Sequence, residues 1–369
     1  MTSNKNDSTN RNPLKSEKTK KERHADRIAR KLSNIGSTTI LEKIAGLRDS
    51  RSEFWEIKDM IEKAQDSVMP GKIQNELNNI EERTQSVVMV VHKKNLLVSE
   101  DATSRKVLIW SVPLYERKIS SDLSICPDSQ YAQQPSAFSE GTGFFLDEEH
   151  IATAAHVVVK QEYDIRDYRF VWGVIYSKEN PFRKYILVDK SQVWKPVQKE
   201  KRLTNKEYQL FSKGSDWAII KVEKAYKEYH SDKKPFPATK SVTHPDPAAT
   251  DRPIEIDRKL YSVGHGLGLP MKISYEGEVI KMGESVFECS LTLLGGNSGS
   301  PVFDAETHKL IGIYVRGIKK LTKVTNPSGK ECLVVKQESQ EFEGQECQNI
   351  EEVLIALEHL KNPELVHIA

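Results

Sequence analysis

Three separated segments carry residue types that could together attack an acyl bond. The segment Gly295-Gly296-Asn297-Ser298-Gly299-Ser300-Pro301 sets a serine hydroxyl among glycines. A serine nucleophile needs a tight turn that exposes its hydroxyl, with backbone N–H groups aimed at the developing oxyanion. Glycine permits the dihedrals and the close approach that such a turn demands, and the N–H groups of Gly296 and Ser298 are the expected oxyanion donors. Upstream, Ile151-Ala152-Thr153-Ala154-Ala155-His156 reads as an apolar strand ending in small residues, which let an imidazole turn back toward the serine. Between them, Gly214-Ser215-Asp216-Trp217-Ala218-Ile219-Ile220 places a carboxylate at the mouth of a buried strand, where it can hold the imidazole tautomer and stabilise the imidazolium. Singly, each has a bland reading: a Gly/Ser/Asn turn, a loop histidine, an acid before a strand. Jointly, the order His156, Asp216, Ser298 at wide spacing differs from the Ser…Asp…His order of α/β-hydrolases and describes a nucleophile, a base and its orienting acid.

These side chains need a rigid scaffold, and the pattern from Ser86 onward is extended. Val87–Val91, Lys106–Trp110, Gly143–Leu146, Phe170–Tyr176, Trp217–Val222, Lys259–Val263 and Leu310–Val315 all read as strands. Many short strands between turn-rich loops indicate an all-β barrel or sandwich. The proline-rich stretch Pro235 to Pro253 divides them into two groups, as a connection between two barrels would, and Ile350–Leu360 is an amphipathic C-terminal helix. No internal repeat is visible. Residues 37–85 carry three short helical patterns: Ile40, Leu41, Ile44 and Leu47; a second beginning at Ser50; and Ile73, Leu77 and Ile80. Such short helices are unstable alone and must pack on something. Residues 1–36 form a basic, polar tail with almost nothing to bury, expected to be disordered.

Over the 369 residues, 55 basic and 53 acidic side chains nearly cancel, so the molecule as a whole is no polycation. The four cysteines are few and irregularly spaced, which argues against a disulfide framework and, with no C-x-x-C pair, against zinc. The polar start is unlike a signal peptide, and no apolar run reaches the length of a membrane helix. These features point to the cytoplasm. No phosphate loop, dinucleotide fingerprint or metal motif appears, so no cofactor is expected; His150 and His265 read as turn residues rather than ligands.

The sequence resembles the trypsin-like (chymotrypsin-clan) serine peptidases of the bacterial type, a group that includes the glutamyl endopeptidases. The residues that carry this are Gly143–Leu146 through Thr153–His156, Asp216–Ile220, Gly264–Pro270, Gly296–Phe303 and Ile313–Gly317. The resemblance covers roughly 86–369 and implies two six-stranded β-barrels with His156, Asp216 and Ser298 in the cleft between them. Digestive relatives carry an acid before the nucleophile that pairs with a new N-terminus; here Asn297 stands there, so the oxyanion hole is expected to form without activation cleavage. Thr292 occupies the place of the trypsin pocket acid, and Leu293 and Tyr314 the places of the glutamyl-enzyme Thr and His. A pocket of Thr292, Leu293, Leu294 and Tyr314 would favour an apolar or aromatic P1 residue, with recruitment of an acidic one by Arg316 as the alternative.

The expectation is therefore an all-β, two-barrel serine endopeptidase acting on protein or peptide substrates through an acyl-enzyme. Its domains would be a basic tail (1–36), a helical regulatory or partner-docking segment (37–85), and a protease domain (86–369) split near 235–253. The competing reading is a protease fold kept as a non-catalytic peptide-binding module. The tail could also anchor to nucleic acid or an anionic surface, but it lacks the interleaved aromatics that stack on bases.

Overall fold

The computed structural model describes residues 51–52, 78–98, 105–120, 122–160, 162–176, 184–197, 203–204, 215–226, 254–317, 321–335 and 344–362. Two antiparallel barrels dominate. The first is built from β1 (Val87–His92), β2 (Ser139–Phe145), β3 (His150–Thr153), β4 (Tyr168–Trp172), β5 (Val193–Pro196) and β6 (Ala218–Lys224). The second comprises β7 (Lys259–Gly264), β8 (Lys272–Met282), β9 (Val286–Cys289), β10 (Pro301–Asp304), β11 (Leu310–Arg316) and β12 (Gln345–Asn349). Pairing of β5 with β6 closes the first ring, and pairing of β8 with β9 closes the second. Numbered one to six within each barrel, the strands run 1-2-3-6-5-4 around both rings. The fold is thus the chymotrypsin-like double barrel, and it contains a repeat of topology that the sequence does not display.

Alternation along each strand explains why the barrels close where they do. In β1, Val88 and Val90 point into the first barrel, whereas Met89 and Val91 pack beneath a small outer sheet of Leu96–Val98, Lys106–Pro113 and Tyr185–Asp189. Both faces are covered, so the strand reads as a continuous apolar run instead of an alternating one. A third apolar cluster lies between the barrels. It joins Val87, Phe144 and Trp217 of the first to Tyr261, Phe303 and Ile313 of the second, with Val353, Ala356 and Leu357 of the C-terminal helix α2 (Ile350–Lys361). The cleft walls are therefore cemented from behind.

Strand β4 stops at Trp172, short of the expected Tyr176, because Gly173 turns the chain at φ +66°. Residues 78–84 are helical; Ile80 is fully buried in the inter-barrel cluster, and Arg83 Nε donates to the His308 carbonyl at 2.8 Å. Arg51–Ser52 are extended and pair with Ser274 and Ile273 of β8, so the second expected helix does not begin at Ser50. The rest of 37–85 and the tail 1–36 lie outside the described residues. Among the cysteines, Cys126 and Cys332 form a disulfide across 206 residues of sequence, while Cys289 and Cys347 are buried free thiols. A cross-link of this kind is uncommon in reducing compartments, so the cysteine count does not support the expected cytoplasmic location. Among the described residues no helix is long and apolar enough to cross a membrane.

Candidate active site

Each of the three chemical side chains sits just beyond the end of a barrel strand. Strand β3 ends at Thr153 and the chain passes into one helical turn, α1 (Ala155–Val158), which carries His156. Asp216 enters two residues before β6, flanked by the buried side chains of Ser215 and Trp217. Its Oδ2 accepts from His156 Nδ1 at 2.6 Å, and its Oδ1 from the His156 backbone N–H at 3.0 Å. Donation from Nδ1 leaves Nε2 as the free base of the neutral ring. Burial pushes the Asp216 carboxyl up, but the His156 hydrogen bond and charge, with Arg316 beyond, overcome this and hold it below the usual range. Asp216 is thus a carboxylate at neutral pH.

Ser298 lies on the turn before β10. Its Oγ is 3.4 Å from the Val315 carbonyl, and it makes no hydrogen bond to His156 in this resting arrangement. Such contacts commonly tighten only when substrate is bound. Around it, Gly296 and Gly299 adopt φ of +96° and +88°, which L-residues with side chains rarely take. The Gly295 carbonyl is held by the Leu267 N–H at 2.6 Å. Because a trans peptide points its C=O and N–H in opposite directions, this fixes the Gly296 N–H on the other side. Among the described residues, neither the Gly296 nor the Ser298 N–H donates to a protein acceptor. Two unengaged donors, the nucleophile's own N–H and that of the residue two before it, are what an oxyanion requires.

Several residues that the sequence reading passed over build this turn. Thr142 Oγ1 donates to the Gly296 carbonyl at 2.8 Å, and the Thr142 N–H donates to the Ser298 carbonyl at 2.9 Å. The half-buried Arg117 guanidinium donates to the Leu267 carbonyl at 2.8 Å and to Ser136 Oγ at 2.9 Å. Asn297 is buried against the loop that carries Leu267: a side chain on Gly266 would come within 2.6 Å of its Nδ2. His265, read as a turn residue, does cap the turn Gly266–Gly268, but it is wholly buried. Burial pushes its imidazole down to about 4, so it is neutral, and Nδ1 donates to the Leu269 carbonyl at 3.1 Å. The parts played by Thr142 and Arg117 were not accessible from local spacing, since Gly296 and Leu267 lie 154 and 150 residues away.

A cavity of about 590 Å³ brings His156, Asp216 and Ser298 together with Leu293, Leu294, Tyr314 and Arg316. Thr292 is not on its wall; its carbonyl accepts from Ser274 Oγ at 3.1 Å. Arg316 is at the rim, its side chain 64% exposed and ion-paired to Glu346 at 2.7 Å. Tyr314 is buried, and its hydroxyl donates to Gln345 Oε1 at 2.8 Å. A second cavity of about 610 Å³, beside Asp147, His150, Lys221 and Lys361, holds none of the triad. His150 opens β3 and is engaged by Asp147 at 2.8 Å, and no group of three or more metal-ligating side chains occurs among the described residues.

Comparison with known proteins returns no match among curated sequences. A solved structure of the serine endoprotease from Yersinia pestis aligns at 11% identity and a TM-score of 0.39, covering 77% of this chain and 66% of that one. That likeness is too distant to carry an argument. Residues 141–313, which contain His156, Asp216 and Ser298, match the model of the trypsin-like peptidase domain.

Proposed function

We propose that the chain is a serine endopeptidase that hydrolyses peptide bonds of protein substrates through an acyl-enzyme. The observation that carries this is the joint geometry of one cavity: His156 held by Asp216 at 2.6 Å, and Ser298 beside two unengaged backbone donors, its own N–H and that of Gly296. A rotation about the Ser298 Cα–Cβ bond brings Oγ toward His156. Oγ then attacks the scissile carbonyl as His156 Nε2 takes its proton, and Asp216 stabilises the imidazolium. The carbonyl oxygen gains the negative charge and is met by the N–H groups of Gly296 and Ser298. His156 returns the proton to the leaving amine, then takes one from the water that releases the acyl group. In this reading Asn297 stands in the turn and the hole needs no activation cleavage.

Restraint by the N-terminal region is part of this proposal for residues 37–77 only, because Ile80 and Arg83 make 78–84 an extension of the core. The test is labelling with a small fluorescent fluorophosphonate, in wild type, Ser298→Ala and a chain lacking 1–77. Wild type is expected to label and Ser298→Ala to stay dark. A faster rate in the truncated chain would support restraint, and an unchanged rate would remove it. Folded wild-type protein that never labels would favour the peptide-binding module instead.

A further inference from the structure

The small outer sheet keeps an apolar face in water. From Val107 to Trp110 its long strand is a continuous apolar run, the pattern that β1 shows because both of its faces are covered. One face of the outer sheet is covered: Val107 and Ile109 pack with Leu96, Ile186 and Val188 against Met89 and Val91. The other face lacks the polar side chains of a solvated surface. Register sets Leu97, Leu108 and Leu187 in one row across three strands. In the next row Trp110 stands opposite Tyr185, the two rings edge to face at 5.8 Å. Leu97, Leu187 and Trp110 are 41%, 41% and 45% exposed, far more than core side chains.

Cations edge this face at both ends. Lys106 and Arg105 project at one end with side chains about half exposed, and Asp189 lies opposite Lys106 within 4.0 Å of both. At the other end Lys184 is exposed beside Tyr185. Two cations against one carboxylate at one end, and a cation at the other, leave both margins positive. A second copy of the chain would set like charge against like whichever way its sheet lay. An anionic lipid surface fits instead: leucines enter the acyl boundary, Trp and Tyr sit at headgroup level, and Lys and Arg reach the phosphates. The tail 1–36 is basic in sequence and adds to the same attraction.

We propose that this face, centred on Leu97, Trp110 and Leu187 and edged by Lys106 and Lys184, docks the chain on an anionic phospholipid surface. It shares no residue with the lining of the catalytic cavity, and it does not depend on the peptidase reading.

The experiment sediments the full chain with vesicles of phosphatidylcholine alone or of phosphatidylcholine mixed with phosphatidylglycerol. Wild type should partition onto the mixed vesicles and not onto phosphatidylcholine. Brominated lipid in the mixed vesicles should quench tryptophan fluorescence in wild type and much less in Trp110→Phe. A double variant, Leu97→Ser with Leu187→Ser, should bind at least about 10-fold more weakly, since two leucine side chains no longer gain from burial. Lys184→Ala should bind about 5-fold more weakly, the loss for one basic residue near such a surface. If the double variant shows no cooperative unfolding, the Trp110→Phe quenching and Lys184→Ala give the answer. A wild type that ignores the mixed vesicles, or binds both kinds equally, overturns the proposal. So does undiminished binding in the double variant, which would leave the basic tail as the anchor. A wild type that is dimeric without lipid and turns monomeric in the double variant also overturns it, with a second copy as the occupant.

Discussion

At the scale of single residues, the oxyanion turn depends on a threonine that belongs to neither the nucleophile segment nor the histidine segment. Thr142 is fully buried. Its hydroxyl donates to the Gly296 carbonyl at 2.8 Å and accepts from the His265 N–H at 3.0 Å, while its own N–H holds the Ser298 carbonyl at 2.9 Å. It thereby pins the Gly296–Asn297 and Ser298–Gly299 peptides, which alternate with those of the oxyanion donors and whose own N–H groups are taken by the Leu294 and Tyr314 carbonyls. Thr142→Val keeps the shape but leaves two buried polar groups unpaired, at a cost of about 1–3 kcal/mol in stability. Because the peptide released lies between the two that carry the Gly296 and Ser298 N–H groups, fluorophosphonate labelling should also slow by about 10–100-fold, within the range for one weakened donor. Thr142→Ser should keep most of the rate; Thr142→Val labelling like wild type would show that the hydroxyl does not position the turn. His156, Asp216 and Ser298 were readable as candidates because each sits in a short segment with its own local logic. Thr142 and Arg117 were not, since what each does is defined by a partner supplied from another strand or loop.

At the scale of elements, the C-terminal helix acts as a brace for the acid of the triad. Asn349 caps α2 by accepting from the Glu351 N–H at 3.0 Å, and the first turn presents Glu352. Its Oε2 accepts from Ser215 Oγ at 2.7 Å and from Trp217 Nε1 at 3.3 Å, the residues either side of Asp216. Glu352→Ala should lower unfolding free energy by about 1–3 kcal/mol, as two donors on well-buried side chains lose their acceptor. Glu352→Gln retains a carbonyl oxygen and should recover most of it in denaturant melts; an alanine variant as stable as wild type would exclude the brace. The helix and the strands were readable because their periodicities are set by local burial. Strand ends were less so: β4 stops at Gly173, where a positive φ rather than a change of hydrophobicity turns the chain. The helix expected from Ser50 gives way to extended pairing at Arg51–Ser52 with β8, a long-range ladder to which helical periodicity is blind.

At the scale of the molecule, two rings of the same strand order set three loop-borne side chains in one cleft, and a separate structure walls that cleft. The hairpin Leu321–Thr325 and Glu331–Val335 meets the loop around Cys126 through mutual hydrogen bonds of 2.9 Å between Cys126 N–H and Leu333 C=O and between Leu333 N–H and Ser124 C=O. The disulfide Cys126–Cys332 locks that meeting. Behind it, Ile125 and Leu333 pack with Leu267 and Leu294, and Leu267 is the residue whose N–H turns the Gly295 carbonyl away from the hole. The sequence offered no sign of this link, because four irregular cysteines do not reveal which pair the fold brings together. Closing so long a loop restricts the unfolded chain, so Cys332→Ser should lower unfolding free energy by about 2–4 kcal/mol. The same release loosens the wall under Leu267, and labelling of Ser298 should slow with it. Wild type treated with a dithiol reductant should fall to the variant's denaturation midpoint, whereas Cys332→Ser should be insensitive to the reductant. A wild type indifferent to reduction would mean that the apolar cluster alone holds the wall in place.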